Sequence, residues 1–127
     1  MTRIMKSRKF EELTVMLEHV KPSTCLIKLV GEMDTSAYRE IGSFISENIL
    51  ERECAVVIDM SELSFMDSSG IKLIANLREL VGEDNVALCS INRNIERILE
   101  ISRFKDLVKI IDKPCDVNDW RKSNADD

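Results

Sequence analysis

Two adjacent hydroxyls, Ser68 and Ser69, stand between a carboxylate and a glycine in the stretch LSFMDSSGIKLIANLREL, residues 63 to 80. A serine pair in that setting could act as a nucleophile, accept a phosphate, or cap a helix whose first turn leaves amide donors unpaired. Nucleophilic catalysis needs a base. The chain offers one histidine, His19, in the alternating segment LTVMLEHV, and no G-x-S-x-G elbow supports a Ser-His pair. Metal chemistry lacks ligands as well. Cys25, Cys54, Cys89 and Cys115 are far apart with no C-x-x-C spacing, and three of them lie inside apolar runs, where free cysteine behaves as a small hydrophobe. Neither G-x-G-x-x-G nor a Walker sequence occurs. The expectation is a protein with no catalytic residues, no metal and no cofactor of its own.

The elements that must position the serines alternate in type. Residues 13 to 19 alternate apolar and polar, and CLIKLV, residues 25 to 30, is a second short strand ended by Gly31. The two can pair as a hairpin through KPST. From Ser36 to Leu50, Ala37, Ile41, Phe44, Ile45 and Ile49 recur at helical spacing, with Asp34, Thr35 or Ser36 to cap and Gly42 weakening the helix. AVVID, residues 55 to 59, is a continuous apolar run of the kind a central parallel strand shows. Leu73, Ile74, Leu77, Leu80 and Val81 mark one face of the helix after the serines, GEDN ends it, and VALC follows as a buried strand. Asn92 or Asn94 caps a helix carrying Ile95, Ile98 and Leu99, and LVKII, residues 107 to 111, reads as the last strand. Beyond Pro114 a short helix with Trp120 as its docking residue is expected, then a frayed tail.

This order calls for an α/β fold, a mixed sheet of about five strands packed with about four helices. Ser68 and Ser69 then stand at the carboxyl ends of parallel strands, where open α/β sheets place their functional sites. The domain is expected over residues 13 to 122, with residues 1 to 12 as an N-terminal arm and 123 to 127 as a polar tail. A formal net charge of -5 gives no basic footprint for nucleic acid, and no apolar run has the length of a signal peptide core or a membrane span. The reading is a cytosolic protein with no nucleic-acid or membrane partner.

The run FMDSSGI, preceded by VVIDMSEL and by GEMD at residues 31 to 34, resembles the STAS domain of bacterial anti-sigma factor antagonists. The late segment NRNIERILEISRFKDLVKI is similar to the final helix, loop and strand of that family, so the resemblance spans roughly residues 13 to 112. It implies a switch: the unphosphorylated protein binds an anti-sigma factor that is also a serine kinase and so frees the sigma factor. The kinase phosphorylates the hydroxyl after the aspartate, here Ser68, and a serine phosphatase restores it. Asp67, Ser69 and Gly70 become contact and positioning residues, and Asp34 lies on the same partner-facing surface. The resemblance leaves the oligomeric state open.

Two departures from the family pattern stand out. Gly70 is followed by Ile71 and Lys72 where many relatives have a second glycine, which puts a long cation on the first turn and bears on which kinase docks. Arg103 stands where the family often has the glycine that takes a left-handed helix end. Two other readings remain: a STAS scaffold or transporter-regulatory subunit that is never phosphorylated, and a receiver-like domain with Asp59 as phospho-aspartate at the end of the central strand. The receiver needs an acidic pair after its first strand, and EHVK supplies none.

Overall fold

A computed structural model of the chain describes residues 4–21, 24–34, 38–49 and 55–112. Its elements are β1 (Ile4–Phe10), β2 (Leu13–Lys21), β3 (Thr24–Met33), α1 (Tyr38–Asn48), β4 (Ala55–Met66), α2 (Ser68–Val81), β5 (Val86–Cys89), α3 (Arg93–Ile101) and β6 (Lys109–Ile111). The strands form a single mixed sheet in the order β1-β2-β3-β4-β5-β6, antiparallel through β3 and parallel from β3 to β6. The expected α/β class holds. The sheet has six strands rather than about five, and three α-helices lie among the described residues. The fourth helix, Trp120 and the tail boundary lie outside them.

Sequential strand order has a geometric consequence. Right-handed crossovers that all step the same way deliver their helices to the same face. Accordingly Ile41, Phe44 and Ile45 of α1, Leu73, Ile74 and Leu77 of α2, and Ile95 and Leu99 of α3 share one core with Val15, Leu17, Ile27, Val56, Ile58 and Leu88. The alternate strand residues Ala55, Val57, Ala87 and Cys89 form a second buried cluster on the opposite face with Leu26 and Ile111.

Three differences from the sequence reading have physical causes. The segment taken as an arm carries β1, seven residues paired antiparallel with β2 from Ile4↔His19 to Phe10↔Leu13. Its exposed Lys6, Ser7, Arg8 and Lys9 hide the strand signal, while Phe10 enters the core edge-on to Phe44 at a centroid distance of 5.7 Å. Gly31 does not end β3, which continues to Met33. With φ 113° and no Cβ, it lets the Glu12 carbonyl approach to 2.1 Å from where a Cβ would stand, and Glu32 donates its amide to that carbonyl.

The third difference is β4. It runs twelve residues, so Asp59 lies within the strand and not at its end. The polar residues Asp59, Ser61, Glu62 and Ser64 disguise the continuation, because two register shifts against β3 break the period of two. Asp59 Oδ1 accepts the Ser61 amide at 2.9 Å beside the first shift, and Ser64 Oγ donates to the Gly31 carbonyl at 3.0 Å beside the second. Leu63 and Met66, three apart, thereby both turn into the core. The last strand is likewise shorter than LVKII, beginning at Lys109.

Candidate functional site

The carboxyl ends of β3 and β4 are tied together where the site begins. The Asp67 amide donates to the Met33 carbonyl at 3.1 Å, which places Asp34, the next residue, beside Asp67 on the rim of the sheet. Asp67 has the extended backbone of an N-cap, φ -104° and ψ -164°, and α2 starts at Ser68. Its Oδ1 accepts the Ser69 amide at 2.8 Å and the Ser69 hydroxyl at 2.5 Å. One carboxylate oxygen thus meets two donors of a turn that would otherwise leave them open.

The two serines are therefore unlike. Ser69 is 2% exposed, its hydroxyl turned inward onto Asp67. Ser68 is exposed at the first residue of the helix, over the positive end of the α2 dipole. Gly70 is buried, with its amide donating to the Asp67 carbonyl at 3.0 Å. A Cβ on Gly70 would stand 2.2 Å from Cγ and 2.3 Å from Sδ of Met66, so glycine is what lets the first turn of α2 seat on the end of β4. Lys72 is exposed on the same turn.

The structure thus brings Asp34, Asp67, Ser68, Ser69, Gly70 and Lys72 to one end of the sheet. Glu32 is exposed near the same end, so among the described residues that end carries more carboxylates than cations, and Glu62 is exposed farther back along β4. Glu62 pairs with Lys28, whose pKa is raised chiefly by its hydrogen bond to Glu62; burial opposes the rise, and the charges of Glu62 and then Asp59 add to it.

Residues the sequence reading passed over also shape the site. Phe65 is 47% exposed, two positions before Asp67, opposite Glu32 across the β3–β4 ladder. Its presence in a strand read as finished at Asp59 concealed it. Asn92 does two jobs: Oδ1 caps α3 by accepting the Ile95 amide at 2.9 Å, and Nδ2 donates to the Leu63 carbonyl at 3.0 Å, holding the bulged end of β4 against α3. The cap was legible as Asn92 or Asn94; the second bond needs the bulge.

His19 lies on β2, partly covered, and its Nε2 is 3.1 Å from the Asn48 carbonyl at the end of α1, remote in the fold from the serines' strand ends. Asp59 is buried and engaged with the Ser61 amide, a structural role within β4. Cys25 and Cys89 are free and buried; Cys54 and Cys115 fall outside the described residues. Among the described residues no three His, Cys, Asp or Glu side chains converge as a metal cage, and no helix is long and apolar enough to cross a membrane.

Comparison with known proteins agrees with this geometry. The STAS domain family model matches residues 16–116. An anti-sigma F factor antagonist of Paenibacillus polymyxa is 28% identical over 103 residues, 79% of this chain and 87% of that protein. The solved structure of the anti-sigma factor antagonist SpoIIAA in its unphosphorylated form superposes with a TM-score of 0.67 at 24% identity, covering 85% of this chain and 96% of that one. The phosphorylated form of the Bacillus cell fate determinant SpoIIAA gives a TM-score of 0.62 at 26% identity, over 82% and 96%. The chain belongs to the STAS domain family. Within it, its likeness runs to anti-sigma factor antagonists, and β1 lies ahead of the matched region.

Proposed function

We propose that this protein is an anti-sigma factor antagonist whose partner binding is switched by phosphorylation of Ser68. In its unphosphorylated form it binds an anti-sigma factor that is a serine kinase, releasing the sigma factor. The kinase transfers the γ-phosphoryl group of ATP to the Ser68 hydroxyl, and a serine phosphatase hydrolyses the ester. The protein supplies an acceptor and a surface; ATP and Mg²⁺ belong to the kinase.

The observation that carries the reading is the contrast within the serine pair. A kinase must align the acceptor oxygen with its nucleotide, and Ser68 is exposed while the Ser69 hydroxyl is buried and donates to Asp67. Support also comes from the relatives, which are themselves anti-sigma factor antagonists and include a structure in a phosphorylated form. Asp67 orients the turn with the buried Ser69 hydroxyl held against it, Gly70 keeps the turn close to the sheet, and the exposed Asp34 and Lys72 complete the partner-facing rim.

Incubation with the cognate kinase and Mg-ATP tests it. One phosphate should be incorporated, Ser68→Ala should abolish incorporation, and Ser69→Ala should retain it. Ser68→Ala should still bind the kinase, because a small exposed hydroxyl removes little contact area. Labelling that persists in Ser68→Ala would move the acceptor elsewhere, and an unlabelled wild-type chain that still binds its partner would favour the unphosphorylated scaffold.

A further inference from the structure

Away from the serine motif, a groove of about 440 Å³ runs between α1 and α2. Leu73, Leu77 and Leu80 of α2 supply its apolar wall, and Arg39, Ser43 and Ser46 of α1 its polar rim. That size and that mixture, an apolar body with a few polar groups to set orientation, are those of small-molecule sites. At the start of α1 the Asn76 amide donates to the Tyr38 hydroxyl and links the two helices across the groove.

Gly42 is the second observation. It lies in the middle of α1, where glycine is the least favourable residue after proline. Its backbone is not left-handed, and a Cβ built on it meets no atom within 4 Å. Neither turn geometry nor close packing calls for glycine there. The open space beside it is the groove it lines, which any larger side chain would reduce. Charge gives the third. Arg39 is the single charged residue lining the groove, and among the described residues it makes no ion pair. Arg39 also borders the adjoining cleft, which it lines with Arg8, Glu40 and Glu47, and neither carboxylate reaches the groove itself.

The geometry points to a binding site for a small amphipathic anion, its aliphatic body against Leu73, Leu77 and Leu80 and its carboxylate on the Arg39 guanidinium. The exposed Arg39 guanidinium stays solvated beside a neutral ligand, gains a charge-assisted hydrogen bond from an anionic one, and would repel a cationic one. The site is separate from the Ser68 switch and does not depend on it.

Decanoate is the probe, titrated into the isotopically labelled full chain and followed by amide chemical shifts. Saturable shifts are expected at Gly42, Leu73 and Leu77. Arg39→Gln, or replacement of decanoate by decanol, should weaken binding about tenfold, the loss of one charge-assisted hydrogen bond. Gly42→Leu should abolish the shifts by filling the groove, and Ser43→Leu, from an exposed position, provides a second filling variant should Gly42→Leu not fold. Gly42→Ala leaves room for the ligand, so it should bind decanoate while melting at a higher temperature. Absent or non-saturating shifts, shifts scattered over the surface, or affinity unchanged in Arg39→Gln or in both filling variants would overturn the site.

Discussion

The Ser69 hydroxyl donates to the Asp67 carboxylate at 2.5 Å, and that bond separates two chemically identical side chains into a structural one and an accessible one. Asp67 is at once the cap of α2 and the residue that turns Ser69 inward.

Removing the carboxylate should cost both bonds. Asp67→Ala is expected to destabilise the protein by about 1 to 2 kcal/mol, the usual range for a lost N-cap, and Ser69→Ala by about 1 kcal/mol for one hydrogen bond. The double variant should lose less than the sum, because both changes remove the same hydroxyl contact. Thermal or urea unfolding of the three variants measures this, and strict additivity would mean the hydroxyl bond contributes nothing.

Phosphorylation of Ser68 should leave the fold intact. A phosphoserine carries roughly -1.5 to -2 charges at neutral pH, and at the first residue of α2 it meets the positive end of the helix dipole, with the nearby Asp67 charge screened by solvent. The interface should fail instead, since a dianion on a docked surface must be desolvated without a partner. Circular dichroism and melting should match between the two forms while partner affinity collapses, with Ser68→Asp a partial mimic. A phosphorylated form that loses helix would show a switch working through unfolding.

Gly70→Ala forces a methyl group onto Met66 and should cost about 1 to 3 kcal/mol, as overpacking does. Because the obstacle is a side chain, Met66→Ala should relieve part of that cost in the double variant. Equal penalties in the presence and absence of the Met66 side chain would place the strain in the backbone.

Arg103 has φ 62° after α3, and the bonds from Arg103 N to the Glu100 carbonyl and from Phe104 N to the Leu99 carbonyl form a Schellman motif around it. Arg103→Gly should therefore stabilise the protein by about 1 kcal/mol, read as a higher denaturant midpoint at constant slope. A lower midpoint would mean the arginine side chain makes up for its backbone cost.

Lys28 has a raised pKa through its hydrogen bond with Glu62. A raised lysine adds stability that is complete below its unfolded pKa of roughly 10.4 and lost as the pH rises through the folded value. The melting difference between wild type and Glu62→Gln should be small, salt-sensitive and constant at neutral pH, shrinking above roughly pH 10. A difference that widens in alkali would reverse the assignment.

Periodicity and caps made much of this structure legible. The apolar spacing from Leu73 to Val81 located α2, VALC located β5, and the Asp-Ser-Ser-Gly run fell at the strand-to-helix junction expected for it. What escaped was set by tertiary pairing. Among its described side chains β1 buries Phe10 alone, and its ladder with β2 shows the strand better than its own pattern does. The second half of β4 carries bulges that break the two-residue period, so Phe65 and the Leu63 carbonyl dropped out of view together with the bond from Asn92. Exposure of Ser68 against burial of Ser69 was beyond any local signal, since identical neighbours differ only in which way the first helical turn faces them.

The order of strands in the sheet is also the order of synthesis. As the chain leaves the ribosome, each new strand finds its neighbour already made, and none has to be threaded between two that have paired. The hairpin of β1 with β2 and the addition of β3 close short loops first, so the costlier parallel pairings are laid onto an existing edge one at a time. The serine motif, at the junction of β4 and α2, follows that template along the chain, and β5, α3 and β6 come after it as the last part of the described chain.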